Sequence, residues 1–280
     1  MSEKFKFLNP ISLAREILGI LMEHKLKATN SPVRFRDWSG SFYWQYPGDD
    51  VRFNSRRRSV SDAQNVIRFV LSNIRKGSVC VDIGAHLGTV TVSLWKMAGL
   101  AGKVISVEAD SSNAKRIREN LQLNNLPCEF ICNAAMLDRK CAVQLRCFPE
   151  SNGWQSIGDP SFARSHKSFT KEVAGMNFGD LVRMYSLDHI DFVKIDAEGA
   201  EVLILNGMRT FLEQKLIDRV VFEVNPLTLE GLGSTVSDLF NFWNGLDYKI
   251  AFLDNKGFAV ELDFDWPGDL IGDCVATKKR

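Results

Sequence analysis

An acidic residue and two glycines follow an apolar run of the chain in a D-x-G-x-x-x-G pattern, formed by Asp82, Gly84 and Gly88. Glycines let the backbone come close to a ligand and open the N-terminus of a following helix. An acidic side chain at a strand end can accept hydrogen bonds from a cationic or hydroxylated ligand. The pattern therefore predicts a ligand-binding turn between a strand and a helix.

Two non-glycine residues, Ala85 and His86, fill the part of this turn where the dinucleotide fingerprint G-x-G-x-x-G has its second glycine. That difference argues against NAD as the ligand and favours a ligand without a diphosphate. The chain also lacks the G-x-x-x-x-G-K-[ST] pattern, so a P-loop nucleotide site is not supported.

Polar residues follow the next two strand-like runs as well. Glu108 comes 26 residues after Asp82, and Asn133-Ala134-Ala135 follows one strand later. A carboxylate at that distance is placed to bind both hydroxyls of a ribose, and a side-chain amide suits an adenine. Because ligands of open α/β sheets lie at the carboxyl ends of the strands, these residues predict one nucleoside site.

Strands alternate with helices over most of the chain, which indicates βαβ units and a mostly parallel sheet. The predicted strands are Ser78–Ile83, Lys103–Glu108, Glu129–Cys132, Phe192–Asp196 and Arg219–Val224, and the predicted helices include Ser61–Arg75, Asn113–Leu123 and Glu201–Gln214. Antiparallel strands are expected at the end of the chain, at Tyr248–Leu253, Phe258–Leu262 and Asp273–Thr277.

Other segments depart from that alternation. Cys141–Phe148 is expected to form an additional strand, and Ser151–Lys171 a long loop of the kind that is often functional. An amphipathic helix within Ile11–Lys27 and an aromatic stretch at Phe35–Phe53, with short strands and turns, precede the regular part. We therefore expect an N-terminal helical and aromatic-rich cap at residues 1–60 and an α/β domain at residues 61–280.

The run Lys194-Ile195-Asp196-Ala197-Glu198-Gly199-Ala200-Glu201, K-I-D-A-E-G-A-E, is close to the signature of the FkbM family. Together with the glycine turn, Glu108 and Asn133, it makes residues 61–280 resemble this family of class I methyltransferases, which use S-adenosylmethionine (SAM) and release S-adenosylhomocysteine (SAH). The resemblance implies a Rossmann-like sheet with a terminal antiparallel strand and methyl transfer to a hydroxyl of a small molecule, sugar or polyketide.

The resemblance also implies roles for individual residues. Asp82, Gly84 and Gly88 would hold the methionine end of SAM, Glu108 the ribose and Asn133 the adenine region. The expected cofactor set is completed by the neighbours of these residues and by the signature aspartate: Ala85, His86, Ala134 and Asp196.

Methyl transfer to an alcohol requires positioning and removal of a proton. Asp196, at the end of its strand, is the candidate that positions the acceptor or serves as the base, with Glu198 nearby and His86 as a further candidate base. Glu201 would share a helix face with Glu198 if the helix began at once. For both residues, a role in complementing the dipole at the helix N-terminus is as strong an interpretation as a role in catalysis. For Lys194 a structural ion pair is favoured over contact with substrate.

A metal site is a minority hypothesis. Asp196, Glu223 and Asn225 offer oxygen ligands of the type that Mg²⁺ prefers, but nothing in the sequence fixes their distances. We expect no metal, with Mg²⁺ as the less favoured alternative. Trp154, in the expected loop, could stack on an acceptor, and Arg56-Arg57-Arg58 most simply form a solvated face.

The composition limits the partners. The 280 residues include 35 Lys and Arg and 34 Asp and Glu, a net charge of +1, so no overall field favours nucleic acid or an anionic membrane. The longest aliphatic stretch near the start, Ile17–Met22, is too short to span a bilayer, and no secretory signal is evident. The six cysteines form no C-x-x-C pair and are expected to be reduced thiols.

These observations predict a cytoplasmic, SAM-dependent O-methyltransferase acting on a small-molecule or glycan hydroxyl. Methylation of RNA or of a protein nitrogen is a second hypothesis. A catalytically silent SAM-fold module that assembles with a partner through the N-terminal helix is a third, and an NAD-dependent enzyme is a low-ranked fourth. The N-terminal segment makes a homodimer plausible.

Overall fold

The computed structural model describes residues 28–279 except 38, 48, 50–62, 162–164, 262–265 and 268. The expected N-terminal helix within Ile11–Lys27 and the run Arg56–Arg58 lie outside the described residues. In the described part of the chain, no helix combines the length and the apolar character needed to cross a membrane.

The elements follow the predicted alternation closely. The helices are α1 (Gln64–Asn73), α2 (Thr89–Ala98), α3 (Ser111–Leu123), α4 (Phe178–Tyr185), α5 (Glu201–Glu213), α6 (Pro226–Glu230) and α7 (Val236–Asn241). The strands are β1 (Val33–Arg36), β2 (Phe42–Gln45), β3 (Val79–Ile83), β4 (Lys103–Val107), β5 (Ile131–Cys132), β6 (Ala135–Leu137), β7 (Cys141–Phe148), β8 (Ser151–Ser156), β9 (Phe169–Asn177), β10 (Phe192–Ile195), β11 (Arg219–Val224), β12 (Tyr248–Leu253), β13 (Ala259–Glu261) and β14 (Gly272–Lys278).

The main sheet has eight strands in the order β13-β12-β14-β11-β10-β3-β4-β5. The pairs from β11 through β10, β3 and β4 to β5 are parallel, whereas β14, β12 and β13 add to β11 in antiparallel fashion. Central strands such as β3 and β10 are buried on both faces, which suits their apolar, β-branched composition. This mixed sheet confirms the expected Rossmann-like fold and its antiparallel end.

The register brings the carboxyl ends of the central strands level with one another. Ile83 of β3 pairs with Ile195 of β10 on one side and with Val107 of β4 on the other, and Val107 pairs with Cys132 of β5. The residues that follow these positions are the glycine turn, Asp196, Glu108 and Asn133. The topology therefore gathers the predicted site residues along one edge of the sheet.

A second sheet corrects the expected long loop at Ser151–Lys171. Strand β8 (Ser151–Ser156) pairs with β7, β9 begins at Phe169, and the four strands lie in the order β6-β9-β7-β8. The prediction was wrong because β8 reads Ser-Asn-Gly-Trp-Gln-Ser, a sequence of low strand propensity. Its backbone pairing with β7, a non-local contact, overrides that propensity.

The aromatic stretch forms the expected short strands, β1 and β2, which pair as a hairpin. The edge of this hairpin lies on α3, where residues four apart reach its backbone. Asn124 exchanges two hydrogen bonds with Phe42, Asn120 accepts from the Trp44 N–H, and Arg116 donates to the Trp44 carbonyl. The described part of segment 1–60 thus packs against a helix that borders the candidate site. The division into two domains stays a prediction.

Candidate functional site

The glycine turn after β3 is packed directly against the end of β10. Gly84 has φ +71°, and a β-carbon built on it would lie 1.6 Å from the Asp196 carbonyl oxygen. The N–H groups of Gly84 and Ala85 both donate to the Val107 carbonyl of β4. Gly88, with φ +81°, caps the start of α2. The turn is therefore fixed to the ends of two neighbouring strands, and only glycine fits its first position.

Asp82 is enclosed by protein. The residue is fully buried, its Oδ2 accepts a hydrogen bond of 2.6 Å from the Thr91 hydroxyl, and its Oδ1 lies 3.6 Å from the Lys194 ammonium. The structure thus brings Asp82 to the turn, as expected, but directs its carboxylate to partners inside the protein.

Glu108 lies beside the glycine turn with its carboxylate oriented by the backbone. The His86 N–H donates to Oε2 and the Asp110 N–H donates to Oε1, each at 2.8 Å. Burial raises the pKa of Glu108 to about 7 in spite of these two hydrogen bonds. Each oxygen keeps a lone pair for a further donor, so this carboxylate can still bind hydroxyl groups.

Asn133 is oriented by the backbone next to Glu108. Its side-chain NH₂ donates to the carbonyl oxygens of Glu108 at 2.7 Å and of Ala109 at 3.0 Å. A ligand would therefore meet the side-chain oxygen of this exposed residue, while the neighbouring Ala134 is buried. The residues predicted for the ribose and adenine regions thus lie together at the ends of β4 and β5.

Lys194 and Asp196 form an ion pair at the end of β10. The Lys194 ammonium lies 3.1 Å from Asp196 Oδ2 and donates to the Gly84 carbonyl at 2.9 Å, and the Asp196 side chain is 37% exposed. Burial opposes the ammonium form of Lys194, but Asp196 and Asp82 outweigh it and hold its pKa above the ordinary value. The contacts of Lys194 agree with the favoured structural ion pair, and the carboxylate of Asp196 is partly exposed at this strand end.

Glu198 and Glu201 do not share a helix face. Helix α5 begins only at Glu201, and Glu198 lies in the preceding turn with φ +51°, its carbonyl accepting a 2.7 Å hydrogen bond from the Ser156 hydroxyl. Glu201 is fully buried and its Oε1 accepts from the Ala197 N–H at 2.8 Å. The shared face required the helix to begin directly after the signature aspartate; α5 begins at Glu201, as predicted, so that condition is not met. Glu201 instead holds the signature turn together.

His86 contacts the second sheet. It has φ +52°, and its ring Nε2 lies 3.2 Å from the side-chain oxygen of Asn152 in β8. The Asn152 carbonyl accepts from the Asn113 side chain of α3 at 3.0 Å. Burial lowers the pKa of His86 below its ordinary value, which favours the neutral ring. A role for His86 as the base stays a prediction.

Strand β8 brings residues to the site that the sequence did not reveal. Asn152 reaches the glycine turn through His86, and the Ser156 hydroxyl donates to the carbonyl of Glu198. Both are polar residues of the expected loop, so nothing in the local pattern distinguished them. Trp154 of the same strand packs edge-on against Phe148 and against the His166 ring.

The residues considered for Mg²⁺ have different surroundings. The Asn225 side-chain oxygen accepts from the Leu227 N–H and caps α6. Burial, followed by repulsion from Asp196 and Glu198, raises the pKa of Glu223 well above its ordinary value. The Mg²⁺ alternative stays a prediction.

Among the described residues, a triple of side chains whose ligand atoms lie within 4.8 Å is found elsewhere, at His189, Asp191 and Asp218. These residues precede β10 and β11, so they lie at the amino ends of the strands, away from the glycine turn. The Val79 N–H, the His189 ring and the Lys278 ammonium already bind the carboxylates of this triple. These contacts within the protein are sufficient to hold the three side chains of the triple close together.

The comparisons with known proteins give one family. A model of the methyltransferase FkbM domain matches residues 82–250, more than half of the 280 residues. No curated protein matches the chain.

Solved structures with low identity also resemble it. A Streptococcus mutans protein described as a SAM-dependent methyltransferase is 12% identical with a TM-score of 0.46; the alignment covers 88% of this chain and only 56% of that one. A SAM-dependent O-methyltransferase from Thermotoga maritima is 15% identical, with a TM-score of 0.45 and coverage of 88% and 77%. A Streptococcus mutans protein described as a methyltransferase, solved with SAH, is 12% identical, with a TM-score of 0.46 and coverage of 77% and 97%.

The close approach at Gly84 gives a matched pair of variants. Gly84→Ala places a methyl group against the Asp196 carbonyl, whereas Gly77→Ala, at φ +86°, meets no atom within 4 Å. Gly77→Ala carries only backbone strain, roughly 1–3 kcal/mol. We expect Gly84→Ala to lower the free energy of unfolding in urea by at least about 2 kcal/mol more than Gly77→Ala. Equal costs would contradict the packing of the turn on β10.

The buried Glu201 predicts a pH-dependent stability. Burial raises its pKa to about 7, so the folded state holds a proton that the unfolded state releases between about pH 4.5 and 7. The carboxyl therefore costs stability progressively as the pH rises through that window. Relative to the wild type, Glu201→Gln should gain roughly 1–3 kcal/mol of unfolding free energy on going from pH 5.5 to pH 8.

The control for this measurement is Glu213→Gln, at the far end of the same helix, where the side chain is 53% exposed. Its urea unfolding relative to the wild type should not depend on pH over this range. A Glu201→Gln difference that is the same at both pH values would show that Glu201 is ionised at pH 5.5.

Proposed function

The chain belongs to the FkbM methyltransferase family, and from this premise we propose that it transfers the methyl group of SAM to a hydroxyl of a small molecule, sugar or glycan, or polyketide. The observation that carries the proposal is the contact between the glycine turn and Asp196. This contact puts a partly exposed carboxylate at the same sheet edge as Glu108 and Asn133, the residues predicted to bind the nucleoside. SAM would be the methyl donor and SAH the product.

The residues present fit SAM. Glu108 has an oriented carboxylate with lone pairs to spare for ribose hydroxyls, and Asn133 keeps its side-chain oxygen for the adenine region. Gly84, Ala85 and Gly88 would border the methionine part, with Asp82 acting from within the protein. When bound, SAM supplies a methyl group on a sulfonium, which an oxygen nucleophile can take up.

Asp196 is the residue that we assign to the acceptor hydroxyl. Its contact with Lys194 uses Oδ2, so Oδ1 is available to accept the hydroxyl proton and to orient the oxygen. Glu198 lies two residues further along, in a turn that Ser156 holds. The proton leaves the acceptor for a carboxylate already fixed in place by an ammonium, which limits the reorganisation that the reaction requires.

The charge of this edge supports a small or glycan acceptor over RNA. Asp196 and Glu198 both act electrostatically on Glu223 there, and Lys194, a cation in the described part of this edge, is already paired with Asp82 and Asp196. A polyanionic backbone would need basic side chains at that place. The cytoplasmic location and the homodimer stay predictions from the sequence.

Calorimetric titration with SAM and with SAH tests this function. We expect the wild type to bind SAH with micromolar affinity. Glu108→Gln should bind SAH at least about tenfold more weakly, because a neutral amide replaces a charged acceptor for the ribose hydroxyls. Since the pKa of Glu108 is about 7, the affinity of the wild type for SAH should fall as the pH is lowered from 8 to 6, and that of Glu108→Gln should not.

Glu213→Gln serves as the control and should bind SAH as the wild type does. Absence of binding by the folded wild type at millimolar SAH would contradict the proposed function. Binding that Glu108→Gln leaves unchanged would contradict the placement of the ribose.

A further inference from the structure

Lys194 is a charged residue in a position where lysine is rarely found. Its side chain is 7% exposed, and its ammonium contacts groups from separate parts of the site. These groups are the Gly84 carbonyl at 2.9 Å, Asp196 Oδ2 at 3.1 Å and Asp82 Oδ1 at 3.6 Å. Lysine is almost never fully buried unless it is paired, so the cost of burying it must be offset by these contacts.

We propose that Lys194 is a positioning residue of the methyl-transfer site, which fixes the glycine turn and the Asp196 carboxylate relative to each other. The inference rests on the proposed function, because it takes Asp196 as the residue that receives the acceptor. Lys194 itself acts through Asp196 and Gly84 and need not touch either substrate.

The surroundings of Asp196 explain why an ammonium is needed. After burial, repulsion from Asp196 contributes to the raised pKa of Glu201 in α5 and of Glu223 in β11. Asp196 thus lies beside two carboxyl groups that offer it no positive charge. Lys194 supplies that charge and binds the carbonyl of the turn with the same ammonium group.

Asp82 anchors this lysine from the other side. It is fully buried, it accepts from Thr91, and the Ser106 hydroxyl in turn donates to Thr91 at 3.2 Å. Since Asp82 has no exposed surface, its effect on a ligand must be indirect. The acidic residue of the D-x-G-x-x-x-G pattern therefore acts through Lys194, across two parallel strands.

Three variants separate positioning from stability. Lys194→Met removes the ammonium but leaves Asp82 buried without its cation, which is strongly destabilising. The double variant Lys194→Met with Asp82→Asn removes both charges and should recover most of the unfolding midpoint. Lys194→Arg keeps a cation in the same place.

The experiment measures the urea unfolding midpoint and the calorimetric affinity for SAH in each variant at pH 7.5. We expect the double variant to be near the wild type in stability and yet to bind SAH about tenfold or more weakly. Asp82→Asn should add no further loss to that of Lys194→Met, and Lys194→Arg should restore part of the affinity. If the role of Lys194 were only structural, the affinity for SAH would change in parallel with the stability. The double variant, whose stability is restored, would then bind SAH as tightly as the wild type, and this result would overturn the inference.

Hydrogen exchange measured without ligand distinguishes failure of the inference about Lys194 from failure of the proposed function. In the double variant, amides of residues 84–88 and 196–200 should exchange faster than in the wild type, while those of β12 and β14 should not change. If the wild type fails to bind SAH, the proposed function is wrong, and the exchange result alone decides on Lys194. Unchanged exchange in both segments would overturn the positioning role whatever the wild type binds.

Discussion

The contact between the Gly84 turn and the Asp196 backbone is the constraint on which the site depends. The Asp196 carbonyl oxygen occupies the space that a β-carbon at position 84 would need, and the Asp196 N–H donates to the Ile83 carbonyl at 3.1 Å. The glycine turn and the backbone of Asp196, which come from distant parts of the sequence, are thereby held in contact by backbone atoms alone. Side-chain electrostatics then act on a geometry that is already set.

Burial controls the charges around this contact. The carboxyl groups of Glu108, Glu201 and Glu223 all have raised pKa values, with burial as the main cause in each case. Asp196 is the more exposed acid beside them and is paired with Lys194. Carboxyl groups close to one another at the strand ends thus differ in their surroundings: Glu108 and Glu201 are buried and accept from backbone N–H groups, whereas Asp196 is partly exposed.

The sequence was sufficient for the parts of the fold that depend on local pattern. The bounds of β7, β11 and β12 agree with prediction because long apolar or alternating runs define them. Residues at strand ends, such as Glu108 and Asn133, could be assigned to one edge because parallel strands end together.

The missed features depend on contacts between distant segments. Strand β8 has a loop-like composition and is ordered by pairing with β7, so neither it nor the contact between Asn152 and His86 could be foreseen. The positive φ of Glu198, a residue that is not glycine, could not be foreseen from the local pattern either. The buried ammonium of Lys194 needed the register of β3 against β10 before its partners could be identified.

A crystal structure of the protein grown with SAH would show whether the glycine turn, Glu108 and Asp196 form one methyl-donor site. We expect SAH to lie along the carboxyl ends of β3, β4 and β5, with its ribose hydroxyls bonded to Glu108 and its sulfur on the side of Asp196. SAH bound at another edge of the sheet, or bound without contact to Glu108, would contradict this arrangement.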